Sequence, residues 1–143
     1  MLANSSIVAF VATTDPSRAK AFYRDVLGLL LISEDEYALV FDAHGNMLRV
    51  VIAAEVVRAP YTVLGWQVSD IAATVRGLAA KGVTFQRYPW MEQDDLGIWS
   101  APSGAKVAWF KDPDGNVLSA LMRSRISTPV AWIPTRLQKS WSM

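Results

Sequence analysis

The stretch Val107-Ala108-Trp109-Phe110-Lys111-Asp112-Pro113-Asp114-Gly115-Asn116-Val117-Leu118 decides the fold. Its centre reads as a tight turn. Pro113 fixes φ, Asp112 and Asp114 offer side-chain oxygens to the turn backbone, and Gly115 supplies a positive φ. The flanks, residues 107–110 and 117–121, are rich in β-formers and read as the two strands of a hairpin.

Outward from this hairpin the chain repeats itself weakly. Residues 7–13 form an apolar strand, Asp15 caps a helix, and Pro16 takes its first position. Ala19, Phe22, Tyr23, Val26 and Leu27 fall on one helical stripe, and Gly28 ends the helix. The pattern returns with a strand at 62–68, a cap at Asp70, a stripe of Ile71, Val75, Leu78 and Ala79, and a stop at Gly82. Short β-candidates follow each helix: 29–33, 37–42 and 47–53 in the first half, with a hairpin turn at 43–46. In the second half they are 83–88, 97–101 with 106–111, and 116–122. The unit is β-α-β-β-β used twice, and such an internal repeat governs the fold class. The expectation is an α+β fold whose two βαβββ modules form a curved, cup-like mixed sheet with helices packed on the convex side. One domain over residues 1–122 is expected, with modules at about 6–55 and 61–122.

Composition narrows the function. At 143 residues and 52% hydrophobic, the chain suits one compact domain. It has no Cys, which excludes disulfides, thiolate metal sites and cysteine nucleophiles, and it has a single His. Residues 1–6 carry neither a basic n-region nor an apolar h-region, and no apolar run approaches the ~20 residues of a membrane span. A cytoplasmic protein without membrane contact is the expectation. Residues 123–143 form a basic tail containing Trp132 and Trp141, with Arg123, Arg125, Arg136 and Lys139 and no acid. Against the chain's net charge of +1, that leaves the preceding body slightly acidic. No basic stripe appears on it, so nucleic acid is not an expected partner.

Four segments together carry a family resemblance over residues 6–122. They are the capped helix from Asp15 to Gly28, the run Leu64-Gly65-Trp66-Gln67-Val68-Ser69-Asp70, the run Gly97-Ile98-Trp99-Ser100-Ala101-Pro102, and the hairpin quoted above. The chain resembles the vicinal-oxygen-chelate superfamily of glyoxalase I, extradiol dioxygenases and bleomycin-resistance proteins. The resemblance implies four metal ligands (His, Gln or Glu) on the concave sheet, at positions falling here near Val8, Val63, Arg49 or Val51, and Ser119. An aliphatic side chain has no lone pair, a guanidinium repels a cation, and a divalent ion needs several converging donors. Shifting by one residue brings in Ile7 or Ala9 and Thr62 or Leu64, which does not restore a site. No metal, no cofactor and no catalytic residue is therefore expected. The acidic run Glu92, Asp94 and Asp95 lacks calcium-loop spacing, and His44 reads as a surface turn residue.

Strand alternation assigns the cup face. Val8, Phe10 and Ala12 face it, as do Val63, Gly65 and Gln67, and Val117, Ser119 and Leu121; Trp109 and Trp99 join them. The candidate ligand-binding residues are Phe10, Arg49, Gln67, Trp99, Trp109 and Ser119. Arg49 reads either as partner of an acid such as Asp42 or as an anchor for an anionic ligand. The expected function is metal-free binding of a small apolar or aromatic organic molecule, as in bleomycin-resistance-like proteins, leaning away from catalysis. Two alternatives stand beside it: a metal-dependent lyase or dioxygenase with a non-standard site, and an interaction module whose cavity is plugged. A homodimer is expected because the family usually pairs such modules.

Overall fold

The computed structural model describes residues 1–124. The expected tail therefore lies, from residue 125 onward, outside the described residues. The first module runs β1 (Val8–Thr13), α1 (Pro16–Lys20), β2 (Leu30–Glu34), β3 (Ala38–Ala43) and β4 (Asn46–Ile52). The second runs β5 (Leu64–Gln67), α2 (Ile71–Ala80), β6 (Trp99–Ser100), β7 (Lys106–Lys111) and β8 (Val117–Met122). Each module makes a four-stranded mixed sheet, ordered β1-β4-β3-β2 and β5-β8-β7-β6. The first and last strands of each unit pair in parallel and the others antiparallel. This is the expected α+β fold of two βαβββ units.

Local chemistry sets the elements. The Asp15 carboxylate accepts from the Arg18 amide at 3.2 Å, with Pro16 at the first helical position. Beyond Lys20 the helix widens into a π-turn over Ala21–Val26, closed by the Leu27 amide on the Phe22 carbonyl at 2.9 Å. Phe22 and Tyr23 lie buried there, edge to face at 5.1 Å. The two-residue turn between β3 and β4 is His44-Gly45, with φ of 52° and 86°, the positive values a tight hairpin needs. Asp70 caps α2 through the Ala73 amide at 3.1 Å.

The second module departs from the sequence pattern in one region. The strand expected at 83–88 is reduced to a single bridge, Phe85 to Phe110, and that expected at 97–101 to two residues. The reason lies in the loop between them. Pro89 has no amide to donate. The Gln93 side chain takes the Tyr88 amide at 2.8 Å and gives to the Gln86 and Gly97 carbonyls at 2.9 Å each. Arg87 donates to the carbonyls of Asp94 and Asp95. Side chains thus satisfy backbone groups that a ladder would otherwise hold.

The helix-bearing faces of the two sheets contribute to one shared core. Val11, Phe22, Tyr23, Leu39, Phe41, Leu48 and Val50 pack with Phe110 and Leu118. Trp66 stacks on Phe110 at 6.5 Å. The Asp112–Asn116 turn then clasps the first module. The Tyr23 hydroxyl donates to Asp112 Oδ2 at 2.7 Å, and Asn116 Nδ2 donates to the Ala12 carbonyl at 2.9 Å. The Thr13 hydroxyl and the Thr14 amide donate to Asp114 at 2.6 and 2.9 Å. Burial first, and then the Asp112 charge and hydrogen bond, push the Tyr23 phenol far above its usual range. Burial raises Asp114, but the bonds from Thr13 and Thr14 and the Arg18 charge outweigh it and hold that carboxyl below its usual value.

Candidate functional site

The faces turned away from the shared core carry the candidate residues. On the second sheet, register places Gly65, Ser119 and Trp109 in one row and Gln67, Leu121, Val107 and Trp99 in the next. All seven share one face, because Trp66, Ala108, Phe110, Leu118 and Ala120 point into the core. Trp99 and Trp109 have ring centroids 6.1 Å apart. The Trp109 indole N–H donates to the Thr62 hydroxyl at 3.1 Å, which fixes its plane. Ser119 is buried between Gly65 and Trp109; a Cβ at position 65 would come within 2.7 Å of its hydroxyl. A side chain at position 65 would therefore displace the Ser119 hydroxyl.

Two aromatic residues outside the expected set complete this surface. Tyr88 meets Trp109 edge to face at 5.7 Å, and Trp90 lies 5.1 Å from Tyr88. Trp90 is 75% exposed, a large apolar side chain at the rim. Reading residues 83–88 as a strand hid them. The signal that could have found them is the Tyr88-Pro89-Trp90 sequence itself, two aromatics around a residue that interrupts a ladder.

On the first sheet, Phe10, Arg49 and Val40 form the row that corresponds to Gly65, Ser119 and Trp109. Phe10 is 58% exposed, and Val8 and Met47 beside it are 39% and 43% exposed. Arg49 is not paired with Asp42. The ion pairs seen among the described residues are Lys20–Glu34 and Arg24–Asp25, and the Asp42 carboxylate accepts from the Gly45 amide. The backbone amides of Tyr37 and Ala38 hold Asp35 below its usual carboxylate value; burial opposes them and the Arg49 charge adds to them. The structure thus groups Gln67, Trp99, Trp109 and Ser119 on one sheet and Phe10 with Arg49 on the other. The two sheets are not hydrogen-bonded to each other through β1 or β5.

The donor set does not fit a divalent metal. Val8 and Val63 have no side-chain donor, Arg49 carries a positive charge, and a lone Ser119 hydroxyl cannot hold an ion. Among the described residues no three of His, Cys, Asp and Glu converge, and residues 125–143 contain none of these types. In the acidic loop the Asp94 carboxylate is occupied by the Leu96 and Ile98 amides at 2.9 Å each. His44 is exposed in its turn.

Comparisons with known proteins agree with this fold. A family model described as the Glyoxalase/Bleomycin resistance protein/Dioxygenase superfamily matches residues 6–119. A glyoxalase family protein from Bacillus anthracis superposes with a TM-score of 0.67 at 17% identity, over 85% of this chain and 96% of its own. A lactoylglutathione lyase from Agrobacterium tumefaciens gives 0.65 at 18% identity, over 84% and 95%. A glyoxalase/bleomycin resistance protein/dioxygenase from Nocardioides gives 0.67 at 17%, over 87% of each chain. At these identities the likeness concerns the fold. No curated protein matches the chain.

Proposed function

The chain belongs to the glyoxalase/bleomycin resistance protein/dioxygenase superfamily, and we propose that it binds a small, partly aromatic organic molecule on its sheet surface without a metal. One observation carries this reading. The face on which the superfamily places metal donors presents Trp109 and Trp99, backed by Tyr88, with Ser119 and Gln67 beside them as hydrogen-bonding groups. A planar ligand stacks on the indoles, and the Ser119 hydroxyl and Gln67 amide fix its orientation. A mostly apolar wall with few polar groups suits sequestration, since binding needs no nucleophile or acid–base pair.

Phe10 and Arg49 belong to the same proposal through a second copy of the chain. The outward face of the first sheet exposes Val8, Phe10, Leu30, Ile32 and Met47, an apolar patch of the kind that marks an interface. A homodimer covering it brings Phe10 and the Arg49 guanidinium to the ligand, the latter as partner for an anionic group.

The test is thermal denaturation with a panel of bicyclic aromatic carboxylates and planar cations, read alongside tryptophan quenching. A ligand at about a hundredfold its Kd stabilises the native state by about 2.7 kcal/mol. That raises Tm by roughly 8 °C for a chain of this size. The shift is expected to vanish in Trp109→Ala. A panel that moves neither Tm nor fluorescence contradicts the proposal.

A further inference from the structure

A cleft of about 310 Å³ opens where the two modules meet, and none of Gln67, Trp99, Trp109 and Ser119 lines it. Three elements wall it: α1 with its π-turn, the turn after α2, and the end of β7. Each contributes one cationic residue to the lining, namely Arg18, Lys81 and Lys111, and Phe22 and Val83 supply apolar wall. The body around it is slightly acidic, so this concentration of positive charge is local.

The charges are offset only in part: the Arg18 charge acts on Asp114 and the Lys81 charge on Asp25, and those carboxylates are bonded to Thr13 and Thr14 and to Arg24 respectively. The side chains of Arg18 and Lys111 make no hydrogen bond or ion pair among the described residues. The Lys81 ammonium donates to a main-chain carbonyl, that of Asp25, at 3.1 Å, while the Asp25 carboxylate is held by Arg24 at 2.8 Å. The acid among the lining residues is Asp112, and it is turned inward. Its two oxygens accept from the Tyr23 hydroxyl, the Asn116 side chain and the amides of Asp114 and Asn116. Cations converging on a concave, partly apolar surface focus a field that favours an anion. The volume lies at the small end of ligand pockets.

We infer that this junction cleft is a second binding site, for a small organic anion that joins a carboxylate or phosphate to a compact apolar group. The anion meets Arg18, Lys81 and Lys111, and the apolar group lies against Phe22 and Val83. Because its walls come from both modules, occupancy tightens their packing.

Calorimetric titration of the full chain with phenyl phosphate tests the site independently of the sheet face. Binding is expected to weaken about tenfold in the Lys81→Ala/Lys111→Ala double variant and to fall with added salt. Inorganic phosphate, lacking the apolar group, is expected to bind about tenfold more weakly than phenyl phosphate. Lys111→Glu, a single exposed change, is expected to abolish binding while leaving Tm unaltered, which separates loss of the site from loss of the fold. No binding heat in the wild type, or equal affinity in the double variant, overturns the inference. So does binding that is lost in Trp109→Ala yet kept in the double variant, since the probe then sits on the sheet face.

Discussion

The two sheets are copies of one plan with opposite finishes. In the first, the outward row Phe10–Arg49–Val40 puts its aromatic ring on the edge strand, where Phe10 is 58% exposed. In the second, the matching row Gly65–Ser119–Trp109 has no side chain on the edge strand and its bulk on β7. There Ser119, Val107 and Val117 are all buried. The difference follows from the loop that replaces a strand in the second module, because that loop brings Tyr88 and Trp90 to the aromatic cluster. The turns differ in the same sense. His44-Gly45 closes its own hairpin, whereas Asp112–Asn116 closes a hairpin and also holds the other module.

The turns give the largest contrast to test. Asp112→Ala strips the partner from the Tyr23 hydroxyl and the Asn116 amide inside the core. A cost of about 3 kcal/mol is expected, or roughly 10 °C in Tm, against less than about 0.5 kcal/mol for His44→Asn. Equal losses in urea denaturation would erase the distinction. Next come the faces. Trp109→Ala gives up two ring contacts and the bond to Thr62, and is expected to cost about 2 kcal/mol. Phe10→Ala is expected to cost under about 0.5 kcal/mol in the monomer, its effect appearing in dimer mass by light scattering. Gly65→Ala, the third, forces Ser119 to rotate and is expected to cost about 1 kcal/mol in urea denaturation.

The smallest effect concerns pH. The Asp114 carboxyl titrates below its unfolded value, so its contribution is present above about pH 4 and fades as pH falls through the lowered native value. Asp114→Asn should flatten the acid limb of the stability curve. An acid limb unchanged by that substitution would remove Asp114 from the clasp.

Most of the fold was legible because its signals are local and agree with one another. Asp15-Pro16, Asp70, Gly28 and Gly82 mark helix ends in side-chain and backbone chemistry that needs no partner. Alternation placed Gln67, Trp109 and Ser119 on one face correctly as a matter of register, since a strand's period is fixed at two. The loop over 85–98 was not legible. Its structure depends on Gln93 and Arg87 bonding to backbone groups of neighbouring loop residues, and residue type alone does not reveal such bonds. The junction cleft was hidden for a related reason. Arg18, Lys81 and Lys111 are far apart in sequence and meet only once the two modules are clasped.

On the proposed reading the sheet surface works through aromatic side chains and not through a bound ion. Elemental mass spectrometry of the purified chain, after growth in metal-supplemented medium, tests it most directly. No stoichiometric transition metal is expected. About one metal ion per chain would contradict it, and would mean that donors other than Val8, Val63, Arg49 and Ser119 assemble a site.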